Sequence, residues 1–179
     1  MLPVAAGHSE SDVYKTLESL ELTIGNHPDY PFFKLDALVR PCMLEKVLGA
    51  LVEEGIQGVT VSDVVGMGVQ RGSIERYRGS EFGISKLVQK SRIEVVCSRD
   101  QVNDAARVIA VSAHTGEIGD GKIFVSPVAD MVRIRTGQTG HDAERMTGGR
   151  SERIAEAALK AQAEENLERA KENKAMIDF

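Results

Sequence analysis

Three glycines and a terminal lysine fall within the eight residues TGEIGDGK, Thr115 to Lys122. Glycine lets successive backbone N–H groups converge without interference from Cβ, and a lysine ammonium can sit over a phosphate as a point charge. The run therefore predicts a phosphate-holding turn. It is not the G-x-x-x-x-G-K-[ST] loop, because residue 123 is Ile and the run opens a strand instead of a helix. A tight helix-to-strand turn with a solvent-facing lysine would leave the same letters, so neighbouring residues decide between the two.

Three neighbours favour the anion. Arg133 and Arg135 stand two apart in a predicted strand, which points both guanidiniums to one side. Two such forks repel unless an anion, or a carboxylate such as Asp120 or Glu117, lies between them, and polyphosphate is the anion that best rewards the pair. Gly66-Met67-Gly68-Val69-Gln70 ends another predicted strand in a glycine-bracketed turn suited to close approach, and Lys90 adds a mobile positive charge at the close of a long loop. Catalytic patterns are weaker. Asp120 has no predictable base or second carboxylate, and His8, His27, His114 and His141 lack ligand spacing. Cys42 and Cys97 have no metal or disulfide pattern, and Cys97 reads as a small hydrophobe at a strand end.

The elements that must carry these residues follow from periodicity. Leu35, Ala37 and Val39 alternate with Asp36 and Leu38 in a strand that Pro41 ends. Apolar positions at helical spacing from Met43 to Glu54 predict a helix with Gly55 as its stop, and Gly58 to Gly66 reads as the next strand. Residues 67 to 89 lack a period and are long for a connection, which marks a functional loop. A strand over Arg92 to Cys97 leads into a capping box, Ser98 with Gln101, and a helix carrying Val102, Ala105, Ala106, Ile109 and Ala110 to near Thr115. Strands over KIFVSPV and over Met131 to Thr136 follow. Residues 1 to 33 look peripheral, with Val13, Leu17 and Leu20 on one face of a short helix. Ser151 to Lys174 predicts an exposed helix, with a thin stripe of Ile154, Leu159, Ala163, Leu167 and Ala170 and support from Glu156→Lys160 and Glu165→Arg169.

Two β-α-β halves joined by an excursion predict an α+β, ferredoxin-like sandwich with a C-terminal helical extension. The chain of 179 residues, 42% hydrophobic and 27% charged with no Trp, fits one soluble domain with an aliphatic core and tails. A formal net charge of -5 speaks against nucleic acid as a partner, and no apolar stretch is long enough for membrane insertion.

VRP at 39 to 41, GVTVSDV at 58 to 64, ERYRGSEF at 75 to 82, TGEIGDGKIFVSPV at 115 to 128 and RIRTG at 133 to 137 resemble the nitrogen-regulatory PII signal-transduction proteins, particularly those of cyanobacteria and chloroplasts. The resemblance spans residues 34 to 137, leaving 1 to 33 and 138 to 179 as extensions. It implies a ferredoxin-like homotrimer with no enzymatic activity, a protruding T-loop at 67 to 89, and ATP or ADP in clefts between subunits. Gly66, Gly68, Gly119, Asp120, Gly121 and Lys122 would line the nucleotide, and Arg133 with Arg135 would reach the phosphates from the neighbouring chain. Gln70 would offer its side-chain carbonyl to Mg²⁺, which 2-oxoglutarate would chelate together with ATP, while Lys90 would pair with a carboxylate of that metabolite.

The T-loop residues Ser73, Glu75, Arg76, Arg78, Ser80, Glu81 and Phe82 would meet a partner, of which N-acetyl-L-glutamate kinase is the expected one. An ammonium channel or an acetyl-CoA carboxylase carrier subunit is an alternative target, and a nucleotide hydrolase using Asp120 or Glu117 is a more distant reading. The chain departs from the pattern at Val69, where an arginine is common, at Phe82, where some members carry a tyrosine that accepts a nucleotidyl group, and over Gly83 to Lys86, one residue longer than in common bacterial forms. Ser80 matches a serine phosphorylated in cyanobacterial members. HDAERMTGGRSERIAEAAL, residues 141 to 159, resembles the extension of green algal and plant members that binds free L-glutamine and helps engage the kinase. The implied address is the plastid stroma, with any transit peptide outside this chain.

Overall fold

The structure is a computed structural model that describes residues 10–68 and 87–177. It divides into two units, Met1–Glu144 and Arg145–Phe179. The first contains α1 (Glu10–Glu18), β1 (Phe32–Val39), a 3-10 turn (Pro41–Met43), α2 (Leu44–Glu53), β2 (Thr60–Met67), β3 (Leu87–Ser98), α3 (Val102–Ala113), β4 (Lys122–Val128) and the short α4 (Gly140–Glu144). The strands make one sheet in the order β2-β3-β1-β4, every neighbouring pair antiparallel. This is the ferredoxin-like α+β arrangement that the element order predicts.

Alternation along β1 sets the layers. Phe33, Leu35, Ala37 and Val39 are buried on the face that carries the helices, beside Ile93 and Val95 of β3, Val47 and Leu51 of α2, and Ala105 and Ile109 of α3. The even-numbered face is open and holds its charges in pairs, Arg92 with Asp36 and Lys34 with Glu94 across β1 and β3. The hydrogen bond from Arg92 holds the Asp36 carboxyl below the ordinary carboxylate value, with burial opposing it. Phe32, on that same face, is buried where the His141 ring of α4 lies 4.9 Å away.

The stop of α2 follows its sequence. Gly55 takes φ +79°, Ile56 N–H donates to Leu51 O at 2.8 Å and Gly55 N–H to Val52 O at 3.0 Å, a Schellman closure that buries Ile56. The N-terminal segment is more than peripheral. Beyond α1, Leu22 N–H donates to Asn103 Oδ1 at 2.9 Å and Arg107 Nε to Leu20 O at 2.8 Å, while Leu20, Leu22, Ile24 and Tyr30 pack on the core.

Three local expectations are corrected. The capping box at Ser98 does not form, because Ser98 is the last residue of β3, buried with its hydroxyl unpartnered, and α3 is capped from Gln101 without a side-chain bond. The strand over Met131 to Thr136 is reduced to one bridge, Val132 with Thr139. Arg133 O instead accepts Thr136 N–H and Gly137 N–H, and with Val132 and Ile134 exposed no buried face rewards extension. The long connection is shorter than predicted, since Met67 pairs with Leu87 and Gly66 with Val88 as β2 and β3 continue into a two-stranded ribbon. Lys90 thus lies inside β3 instead of closing a loop.

The second unit carries α5 (Arg150–Ile177), longer than the predicted helix. Glu152 accepts Gly148 N–H, placing a carboxylate at the N-terminal end of the helix where it is favoured, and Ile154 and Leu159 are exposed.

Phe33 is fully buried in the core, and the Arg99 guanidinium sits 5.2 Å from its ring centroid. Phe33→Ala is expected to cost about 3–5 kcal/mol of folding stability, the range for emptying a phenylalanine site, read as a lowered urea midpoint. An unchanged midpoint would show that the core does not depend on this strand.

Candidate functional site

The turn from Thr115 to Lys122 is built around one carboxylate. Asp120 Oδ2 accepts Thr115 N–H at 2.7 Å and Gly116 N–H at 3.0 Å, while Oδ1 accepts the Thr115 hydroxyl and Arg40 Nε, the latter at 3.0 Å. Arg40 Nη2 also donates to Ile118 O at 2.9 Å, so its guanidinium grips the turn at two points. Partial burial would raise the Asp120 carboxyl, but the bonds from Thr115, Arg40 and Gly116 outweigh it and hold the value at about 2. Asp120 is therefore a fixed anion occupied by its own turn, a poor base for moving a water proton.

Glycine is required here by geometry. Gly116, Gly119 and Gly121 take φ of +79°, +109° and +104°. A Cβ on Gly121 would stand 1.7 Å from Leu38 O, so the turn lies directly on the β1 backbone and only glycine fits.

Beside the turn is a cleft of about 440 Å³ lined by Gly119, Gly121 and Lys122, by Gly66, Gly68 and Lys90 of the ribbon, and by the apolar Leu38, Met67, Val88 and Ile118. Leu38, Gly66, Val88 and Lys90 share the open face of the sheet, as the register of β1, β2 and β3 dictates. The Lys90 ammonium donates to Gly119 O and ties the ribbon to the turn. Burial lowers the Lys90 pKa, and the nearby Arg40 charge adds to that effect. Two lysines, an apolar floor and glycine backbones at one cleft can accept a ligand with a polyanionic end and a flat or apolar body.

The sequence-predicted residues divide into three groups. Gly66, Gly68, Lys90, Gly119, Gly121 and Lys122 come together at this cleft, while Asp120 organises the turn from behind. Arg133 and Arg135 do not line it within one chain. Arg133 donates to Ala143 O at 3.0 Å, and without a strand there the two-residue spacing does not set both guanidiniums to one side. Gln70, Ser73, Glu75, Arg76, Arg78, Ser80, Glu81 and Phe82 lie outside the described residues.

Arg40 and Thr115 went unassigned in the sequence. The signal for Arg40 was its place before Pro41, which holds it extended at φ −65°, ψ 138° at the strand exit. Among the described residues no cluster of His, Cys, Asp and Glu could hold a metal, and burial pushes the Cys97 thiol up to about 12, in keeping with a small hydrophobe.

Comparison with known proteins agrees with this architecture. The family model described as Nitrogen regulatory protein P-II matches residues 32–138, more than half of the chain. A nitrogen regulatory protein P-II homolog of Arabidopsis thaliana is 54% identical over 121 residues, 68% of this chain and 62% of that protein. The chain thus spans less than two thirds of the length of that plant relative. The nitrogen regulatory protein P-II of Microchaete diplosiphon is 50% identical over 110 residues, 62% of this chain and 97% of that protein. A solved structure, Arabidopsis thaliana PII bound to citrate, aligns with TM-score 0.55 at 44% identity, covering 67% of this chain and 95% of that one.

The depressed Asp120 value gives a pH signature. A folded value of about 2 below the ordinary 3.8 means that its contribution, on the order of 2 kcal/mol, is complete above about pH 4 and is lost as pH falls through 2. The amide resonances of Thr115 and Gly116 should titrate near pH 2 and lose that step in Asp120→Asn; a step near pH 4 in the wild-type protein would refute the clasp.

Proposed function

The chain belongs to the nitrogen regulatory protein P-II family, and on that premise we propose that it is a sensor that binds ATP or ADP at the cleft beside Thr115–Lys122. Its relatives are named as regulatory proteins, and the chain is a regulator, not an enzyme. The observation that carries the nucleotide reading is the convergence of the positive-φ glycines Gly119 and Gly121 with Lys90 and Lys122 on one cleft. The residues fit the ligand: two lysines and glycine backbone line the same cleft as the apolar Leu38, Met67, Val88 and Ile118, and Asp120 holds the turn in shape.

In this reading Gly119, Gly121 and Lys122 face the polyphosphate, Lys90 pairs with a carboxylate of 2-oxoglutarate, the apolar floor takes the base, and Asp120 with Arg40 keeps the turn in shape. Mg²⁺ supplies charge neutralisation and a chelation point shared with 2-oxoglutarate, with Gln70 as its expected protein contact. The protein works as a homotrimer, and Arg133 and Arg135 complete the site of a neighbour. The open sheet face supports the trimer, since Val96 and Phe124 are exposed there beside a row of paired charges.

Ligand state then selects among conformations of the T-loop, and these admit or refuse N-acetyl-L-glutamate kinase, in a glutamine-dependent way through residues 138 to 179. The plastid stroma is the proposed setting. Among the described residues no helix is long and apolar enough to cross a membrane. The occupied Asp120 carboxylate argues against the hydrolase alternative.

Calorimetric titration with 2-oxoglutarate should give heat with ATP and Mg²⁺ and none with ADP; equal heats in both arms, or none, would sink the Mg²⁺-bridged site. Lys122→Ala should weaken ATP binding by about 10- to 100-fold, the size of one or two charge-assisted contacts, and unchanged affinity would remove the lysine from the site. Capture of N-acetylglutamate kinase that ignores both glutamine and removal of residues 138 to 179 would overturn the tail's role.

A further inference from the structure

The helix α1 precedes the family-matched region, yet it reaches the back of the phosphate turn. Its inner residues Val13, Tyr14 and Leu17 are half-buried. The Tyr14 ring meets the His114 imidazole edge-on, with centroids 4.8 Å apart and planes at 89°. His114 follows α3 immediately and is largely buried, with Nδ1 3.6 Å from Asp120 Oδ2 and Nε2 3.9 Å from where a Gly116 Cβ would stand. A separate observation joins the same parts: a second cavity, of about 260 Å³, is lined by Leu17 of α1, Ala113 and His114 together with Asp120 and Gly121.

From these contacts we infer that Tyr14 is a positioning residue for the phosphate turn: it seats His114 against Asp120 and so tunes nucleotide binding from the N-terminal extension. The physical reason is that Asp120 orders the turn only while its carboxylate stays in one place. Arg40 restrains it from the β1 side. The imidazole stands beside the other carboxylate oxygen, Oδ2, and the edge-on Tyr14 ring limits the rotation of His114. Without that ring, His114 can turn into the cavity, Asp120 gains freedom, and the amides of Thr115 and Gly116 lose a fixed acceptor. Tyr14 touches no part of the cleft itself, so its effect passes through His114.

The inference rests on the nucleotide reading above for its functional consequence, but the clasp can be measured without nucleotide. Three full-length proteins are compared: wild type, Tyr14→Ala and Tyr14→Phe. Amide hydrogen exchange is followed in the absence of ligand, then ATP and ADP are titrated by calorimetry, with thermal unfolding as the control for global damage. Tyr14→Ala should exchange faster at Thr115 and Gly116, with strand β1 unaltered, and should bind ATP about two- to tenfold more weakly, the size of one edge-to-face ring contact. Tyr14→Phe keeps the ring and should restore both readings.

Wild-type exchange and affinity in Tyr14→Ala would overturn the inference. So would a loss that Tyr14→Phe does not rescue, or a loss matched by general loosening of β1, since either would make the effect one of folding. If the wild-type protein binds neither nucleotide, the nucleotide reading fails and the functional half of the inference with it, while the exchange comparison still decides whether α1 holds the turn.

Discussion

The carboxylate of Asp120 is the constraint on which the site depends. A glycine-rich turn needs a fixed acceptor to hold its shape, because its own residues restrain the backbone so little. Here one ionised side chain takes Thr115 and Gly116 N–H, the Thr115 hydroxyl and Arg40. Bonds to a charged acceptor are stronger than neutral ones, so a few of them suffice to fix a segment otherwise rich in conformational freedom. The glycines that make the turn possible also make it floppy, and the clasp offsets that cost.

The same clasp links elements far apart in the chain. Arg40 comes from the exit of β1, where Pro41 stops the strand, and Lys90 comes from the middle of β3. Both donate to the turn, at Ile118 O and Gly119 O. The ribbon of β2 and β3 is thereby tied to the phosphate turn through one ammonium, which gives a physical route by which an anion at the cleft could bias the loop beyond Met67 and Leu87. Burial lowers the Lys90 pKa, the Arg40 charge adds to that effect, and the Asp120 carboxylate opposes it. An incoming polyanion would relieve that repulsion.

How much of this was legible in the letters depends on the range of the interaction. The buried stripe of β1, the amphipathic helices and the Gly55 stop were readable, because each is decided within a few residues by side-chain direction or by glycine's freedom. The TGEIGDGK turn was readable for the same reason. The Ser98 capping box and the Met131–Thr136 strand failed because their local patterns were right and their surroundings were not: β3 runs on through Ser98, and among the described residues no neighbouring strand pairs with Arg133 to Arg135.

By itself the sequence determined the family, the ferredoxin-like element order and the glycine-rich turn, since strand and helix periods and glycine spacing are properties of neighbouring residues. Only the tertiary structure decided what Asp120 does. In the sequence it is one acid among glycines, able to meet a ligand, a water or an arginine. In the fold it accepts from Arg40, eighty residues earlier, and from two amides just before it, and it faces His114 under α1. A carboxylate's role is set by which donors reach it, and those donors are brought together only when β1, α3 and β4 pack.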